Sequence, residues 1–141
     1  MHGTALFGEA KVIESAMIPI NVQHVEEWAH IRRFLTGPRS PSIFLATPGC
    51  CRARMLDIMR DARAQDTEVI AIAEADDLDV AGIAHEIWPV PKLDFETLQP
   101  LTCAISMELL AYWCMIQRDV RPFYADVRPL ETGLTLPPHE R

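Results

Sequence analysis

The sequence predicts an α/β fold, a three-layer αβα sandwich around a mainly parallel sheet, in a single domain. Three observations carry that prediction. Short continuous apolar runs, SIFLAT (42–47), EVIAIAE (68–74) and EIWPVP (86–91), punctuate the chain; such runs belong to strands covered on both faces. Helical stretches separate them, as crossovers between parallel strands require. The length of 141 residues suits one domain of roughly 100–200 residues, which buries about two thirds of its unfolded surface without disulfide staples.

The elements follow in order. Residues 4–17 predict a helix with Leu6, Ala10, Ile13 and Met17 on one stripe. Pro19 stops it, and IPINVQ (18–23) reads as a short strand. A second helix is expected over 25–35, turning Val25, Trp28, Ala29 and Ile31 to the core, and GPRSP (37–41) is a turn. After SIFLAT, Pro48 and Gly49 lead into an amphipathic helix, RARMLDIMRDARAQ (52–65). EVIAIAE precedes an acidic loop, ADDLD (75–79), and a short helix to about His85. The prolines of EIWPVP shorten the third strand.

Residues 96–117 make the longest helix, apolar nearly all round from Leu101 to Ile116. A domain this small hardly buries such a helix alone, so a homodimer or higher oligomer is expected, with Tyr112 and Trp113 packing an interface. The tail is rich in Pro and charge and reads as extended. The domain thus divides into a leading helix and strand (1–24), a core (25–118) and a tail (119–141).

Composition narrows the function. A net charge of −7 argues against nucleic acid or an anionic membrane as the partner. The run LTCAISMELLAYWCMI (101–116) is interrupted by Glu108 and is shorter than a roughly 20-residue membrane span. The N-terminus lacks the basic and apolar regions of a signal peptide. Cys50, Cys51, Cys103 and Cys114 form no CxxC pair or zinc-ligand set, so no structural metal is expected and a reduced, cytoplasmic setting fits best. No cofactor motif is present.

Three motifs carry chemistry. GEAKVIE (8–14) is a glycine followed by Lys11-x-x-Glu14; EWAH (27–30) places Glu27 three residues before His30; QPLTCAISMELLAYWCMIQRDVRP (99–122) is a long apolar helix led by Gln-Pro-Leu and closed by a charged turn. In these stretches the chain resembles the sugar isomerase (SIS) domain family, specifically the second SIS subdomain of phosphosugar isomerases and deaminases of the glucosamine-6-phosphate synthase type. The resemblance covers Gly8 to about Leu130 and implies a flavodoxin-like sandwich. It departs where His30 is followed by Ile31-Arg32 rather than Gly-Pro, and where DVRPLETG (126–133) lacks a lysine that some members carry. The Ser/Thr-rich loop that grips the sugar phosphate belongs to the first subdomain in that family, and TPGCCR (47–52) does not supply it.

Aldose–ketose isomerisation moves a proton between neighbouring carbons through an enediol(ate), and needs a base and a group that opens the ring. The resemblance implies Glu14 as that base, His30 as the ring-opening acid/base, and Lys11 and Glu27 in support, with Glu27 orienting the imidazole from the same helix face. The sugar-phosphate site would be completed by another subunit, either another copy or a second SIS chain. The alternative is a catalytically silent SIS module that binds a sugar phosphate or a protein partner for regulation. A third reading is a fragment of a longer protein, against which the initial Met argues.

Plainer readings stand beside these. Glu14 is a helix-surface carboxylate and Glu27-x-x-His30 a solvated face by spacing alone. Gly49, before a helix, offers N–H groups to an anion, or Arg52 and Arg54 are surface charge. Cys51 near a helix start has a lowered pKa or is inert. Glu74, Asp76, Asp77 and Asp79 suggest a divalent metal, or an N-cap from Asp76 or Asp77.

Overall fold

The structure, a computed structural model, describes residues 1–122; the DVRPLETG segment lies outside the described residues. The elements are α1 (His2–Ala16), α2 (Val25–His30), β1 (Ser42–Leu45), α3 (Arg52–Ala64), β2 (Val69–Glu74), α4 (Leu78–Ala81), β3 (Glu86–Val90) and α5 (Gln99–Arg118), with 3-10 turns at Arg32–Phe34 and Glu96–Leu98.

The three strands form one parallel sheet in the order β1-β2-β3. Their side chains alternate between two helical layers, because successive residues of a strand face opposite ways. Phe44, Val69 and Ala71 join Trp28 of α2 and Ile58 and Met59 of α3 in one cluster. On the other face Ile72 and Val90 meet Cys103 and Met107 of α5. The fold is therefore the expected three-layer α/β sandwich. α3 and α4 lie on one face because the strand order advances steadily and each crossover keeps the same hand. β2, the central strand, is buried from Ala71 to Glu74.

Three local expectations are corrected. IPINVQ is not a strand: Pro19 carries no N–H for a ladder, and the Val22 N–H is instead donated to the Glu9 carboxylate of α1 at 3.1 Å. The buried stripe of α1 is Gly8, Val12 and Ala16, while Leu6 and Ile13 are more than 40% exposed. Close approach to α5 explains this. A Cβ at Gly8 would fall 2.9 Å from Met107 Cβ and Cγ, and nearer still to Cε, so only small residues fit that seam. Finally, the helix expected over 25–35 ends at His30. Ile31 leaves helical geometry (φ −121°, ψ −57°) and is exposed, whereas Trp28 and Ala29 are buried as the spacing requires.

α1 stops on Met17 in the left-handed conformation (φ 54°), whose N–H reaches back to the Ile13 carbonyl at 3.0 Å. Among the described residues no helix is long and apolar enough to cross a membrane.

Two glycines of α1 make a controlled comparison. Gly3→Ala meets open space and should raise stability, by up to about 1 kcal/mol, through helix propensity. Gly8→Ala gains the same propensity but strikes Met107, and a net loss of about 1–2 kcal/mol is expected from overpacking. Urea unfolding of the two variants checks the pair: equal stabilisation by both would contradict the seam.

Candidate functional site

Since Gly8, Val12 and Ala16 turn to α5, the helical repeat leaves Lys11 and Glu14 on the outer surface of α1. Lys11 Nζ lies 2.9 Å from Glu14 Oε2, one turn away, and both side chains are 36–41% exposed. The ammonium also sits 5.6 Å from the centre of the Phe7 ring. The pair is thus a preformed carboxylate and ammonium at the surface.

α2 places its groups differently from expectation. Glu27 does not orient His30; its carboxylate accepts the His24 N–H at 3.0 Å and so closes the helix start. The charge that His30 acts on is Glu26, one turn earlier. Glu26 in turn binds Arg54 of α3 in a two-pronged bridge of 2.5 and 2.8 Å. That hydrogen bond holds the Glu26 carboxyl below the usual carboxylate range, with the charges of Arg54 and His30 adding to it. His30 itself is exposed at the last position of α2. Arg54, which the sequence offers as a surface charge, is thus the ion-pair partner of Glu26, a residue whose i, i+4 spacing to His30 was there to find.

Within the chain, then, Lys11 and Glu14 meet, and Glu27 and His30 share a helix. Among the described residues no hydrogen bond or ion pair joins Glu14 to His30, and neither borders the hollow at the strand ends or the one between β3 and α5. The starts of α1 and α2 do meet, where His2 stacks on His24 with ring centres 4.2 Å apart. Glu14 lies about 18 Å further along the α1 axis at 1.5 Å per residue.

A second feature occupies the carboxyl ends of β1 and β2, where open α/β sheets commonly take ligands. This hollow of about 370 Å³ is bordered by Pro48, Arg52, Glu74, Asp77, Asp79 and Lys92. Of its two cations, Arg52 is committed and Lys92 is mostly exposed. Arg52 grips Asp77 at 2.6 and 2.7 Å and reaches Asp79 at 3.4 Å. Lys92 lies 3.9 Å from Glu74. Asp77 is also the N-cap of α4, accepting the Val80 N–H at 3.1 Å, so the acidic run serves as cap and ion-pair partner. Among the described residues no group of three or more His, Cys, Asp or Glu is placed to hold a metal ion. Gly49 does not offer an open anion cradle either, because Glu96 Oε1 stands 2.9 Å from where its Cβ would be.

Cys50 and Cys51 Sγ atoms are 3.7 Å apart and exposed. The Cys51 thiol is pushed up, not lowered, first by its hydrogen bond to Cys50 and then by that neighbour's charge. Burial raises Cys103.

No family model matches the chain, but individual proteins do. It is 30% identical over 115 residues to the glutamine–fructose-6-phosphate aminotransferase [isomerizing] of Methanosarcina mazei, covering 82% of this chain and 18% of that protein. The enzymes of the same name from Thermosynechococcus vestitus (29% over 116 residues, 82% and 18%) and Thermus thermophilus (29% over 119 residues, 83% and 20%) match similarly. The fold aligns with the C-terminal domain of glucosamine-fructose-6-phosphate aminotransferase from Francisella tularensis. The TM-score is 0.74 at 16% identity, over 84% of this chain and 33% of that one. The chain is a homologue of their C-terminal SIS region.

As an SIS unit, the chain spans about a fifth of the length of the curated relatives it matches. Its α1 motif residues lie at the surface, and its strand-end loops are closed by their own ion pairs.

The Arg52–Asp77 bridge gives a test of that closure. Burial pushes the Asp77 carboxyl up, but the hydrogen bonds from Arg52 and Val80 outweigh it, so the carboxyl titrates below its ordinary value. A depressed folded pKa contributes stability above the unfolded value near 3.9, and that contribution disappears as pH falls through the folded value. Asp77→Asn keeps the cap and loses the bridge, with an expected cost of about 2 kcal/mol at pH 7. Thermal melts should show its loss on acidification below about pH 4 to be shallower than that of the parent chain.

Proposed function

We propose that this chain is the phosphosugar-binding second half of an SIS-type aldose–ketose isomerase or amino-sugar phosphate deaminase, completed by another subunit. The observation that carries the reading is the Lys11–Glu14 pair, held at 2.9 Å on the outer face of α1. The substrate class comes from the relatives, whose names state fructose 6-phosphate and an isomerising reaction. Glu14 takes the proton from one carbon of the open-chain sugar and returns it to the neighbouring carbon. Lys11 supplies positive charge beside the enediolate as it forms. His30 shuttles the hydroxyl proton that opens the ring, and Glu27 supports it indirectly by fixing the start of α2.

Two features support completion by another subunit. Glu14 is half-exposed and His30 exposed, and neither borders the hollow at the strand ends or the one between β3 and α5. Phosphate also needs uncommitted donors, whereas Arg52 is already gripped by Asp77 and Lys92 faces the Glu74 carboxylate only at long range from a mostly exposed position. A second polypeptide must then bring the phosphate-binding loop.

The test mixes the purified chain with a separately produced first SIS subdomain of the Methanosarcina mazei relative, and follows interconversion of fructose and glucose 6-phosphates. Turnover is expected only in the mixture. Glu14→Gln should reduce it by about 10²–10⁴-fold, the usual contribution of a positioned base. Turnover unchanged by Glu14→Gln would contradict the assignment of the base. Sugar-phosphate binding without turnover in every mixture would favour a second reading, a silent regulatory module. The replacement of Gly-Pro by Ile31-Arg32 after His30, which leaves the imidazole at an exposed helix end, favours that reading.

A further inference from the structure

Cys50 and Cys51 are neighbours in the loop that joins β1 to α3, and both are exposed. Their Sγ atoms stand 3.7 Å apart. Among the described residues neither thiol bonds to anything but the other: Cys51 is the N-cap of α3, yet its side chain caps no N–H. The other two thiols cannot act as such a pair. Cys103 is buried, and Cys114 lies further along α5, about 16 Å away at 1.5 Å per residue.

Geometry and protonation define what the pair accepts. A centre bonded to both sulfurs at about 2.3 Å, the zinc–thiolate length and close to that of arsenic–sulfur bonds, subtends about 107° across the 3.7 Å separation. A linear two-coordinate ion with the same bonds needs its sulfurs about 4.6 Å apart and fits poorly. A tetrahedral ion has the angle but needs four ligands, and among the described residues no group of three or more His, Cys, Asp or Glu is placed to hold one. Metal binding also demands deprotonated thiols, whereas the hydrogen bond and charge of Cys50 push the Cys51 thiol up. Oxidation to a disulfide is opposed by adjacency. Residues joined by a trans peptide stand about 3.8 Å apart at Cα, short of the roughly 4.4–6.8 Å that disulfides span.

What fits is a pyramidal centre that brings its own third substituent, takes only two sulfurs and removes their protons itself. Trivalent arsenic bearing one organic group meets all three demands. We infer that Cys50 and Cys51 form a chelating dithiol site for an organic arsenical of the R–As=O class. In the exchange two arsenic–sulfur bonds form, the arsenic–oxygen bond breaks, and both thiol protons leave with the oxygen as one water. Arsenic stays trivalent, so no oxidant or reductant is consumed. The inference needs neither Glu14 nor His30 and stands apart from the isomerase reading.

The reduced full chain, titrated with phenylarsine oxide and read by intact mass, tests the site. One adduct per chain is expected, formed with loss of one water. It should survive millimolar glutathione, a monothiol that competes for one bond at a time. Cys50→Ser and Cys51→Ser should each weaken binding about 100-fold or more, because closing the second bond within the chain contributes roughly 10²–10⁴-fold. Both changes fall on exposed side chains, so the circular dichroism spectrum should not change, and either variant decides if the other misfolds. Cys114→Ser should leave the affinity as it is. Binding equally tight in the parent chain and in a folded Cys50→Ser or Cys51→Ser variant would overturn the proposal. So would loss of the adduct in Cys114→Ser, or an adduct that glutathione strips from the parent chain.

Discussion

The seam between α1 and α5 sets the geometry of the helical layer that carries Lys11 and Glu14. Met107 lies where the Cβ of any other residue at position 8 would stand, so α1 approaches α5 as closely as a glycine permits. Packing at that distance needs small groups along the whole contact, and Val12 and Ala16 continue it. The rest follows by helical repeat: once that stripe faces inward, Lys11 and Glu14 face out. Glu9 then ties the descending chain to α1 through the Val22 N–H, and the stacked His2 and His24 rings fix where α2 begins. The positions of Lys11 and Glu14 thus trace back to one contact between backbone and thioether side chain, whereas Trp28 and Ala29 in the sheet-face core and the Glu26–Arg54 bridge hold Glu27 and His30 in place.

The strand-end region follows a different logic. Its hollow sits where parallel sheets often bind ligands, yet the steady β1-β2-β3 order has no reversal to open a crevice. Arg52 could have served an anion, but Asp77 and Asp79 hold it, and Glu96 stands over Gly49. These contacts join α3 to α4 across the top of β2. They act as a structural clasp on a three-stranded sheet whose edges, β1 and β3, are both short. Arg63 adds a second clasp below, donating to the Ile83 carbonyl, and the His85 imidazole accepts the Val69 N–H at 3.0 Å at the start of β2.

Much of this was legible in the residues. SIFLAT, EVIAIAE and EIWPVP were readable as strands because they are short, continuous apolar runs, and the parallel sandwich followed; only the central β2 is buried on both faces, while the edge strand β3 exposes Glu86 and Pro89. The inward face of α1 was not legible. Ranking by hydrophobicity turns Leu6 and Ile13 to the core, whereas a tight helix–helix seam selects Gly8, Val12 and Ala16 by size. The end of α2 was hidden because neither Gly nor Pro marks Ile31. Glu27 was misread because a capping box normally opens on Ser or Thr, and His24 disguises it. For the site, the motifs suggested that Glu14 and His30 act together, whereas within this chain Glu14 pairs with Lys11 and His30 stands exposed at the end of α2.

The account stands or falls on which surface meets the sugar: the outer face of α1 with the end of α2, or the strand-end loops. Amide chemical shifts of the ¹⁵N-labelled chain, titrated with fructose 6-phosphate into the millimolar range, report this directly. The account predicts perturbations centred on Lys11, Glu14 and His30, with the loops at Gly49–Arg52 and Glu74–Asp79 silent. Perturbations confined to those loops would contradict it.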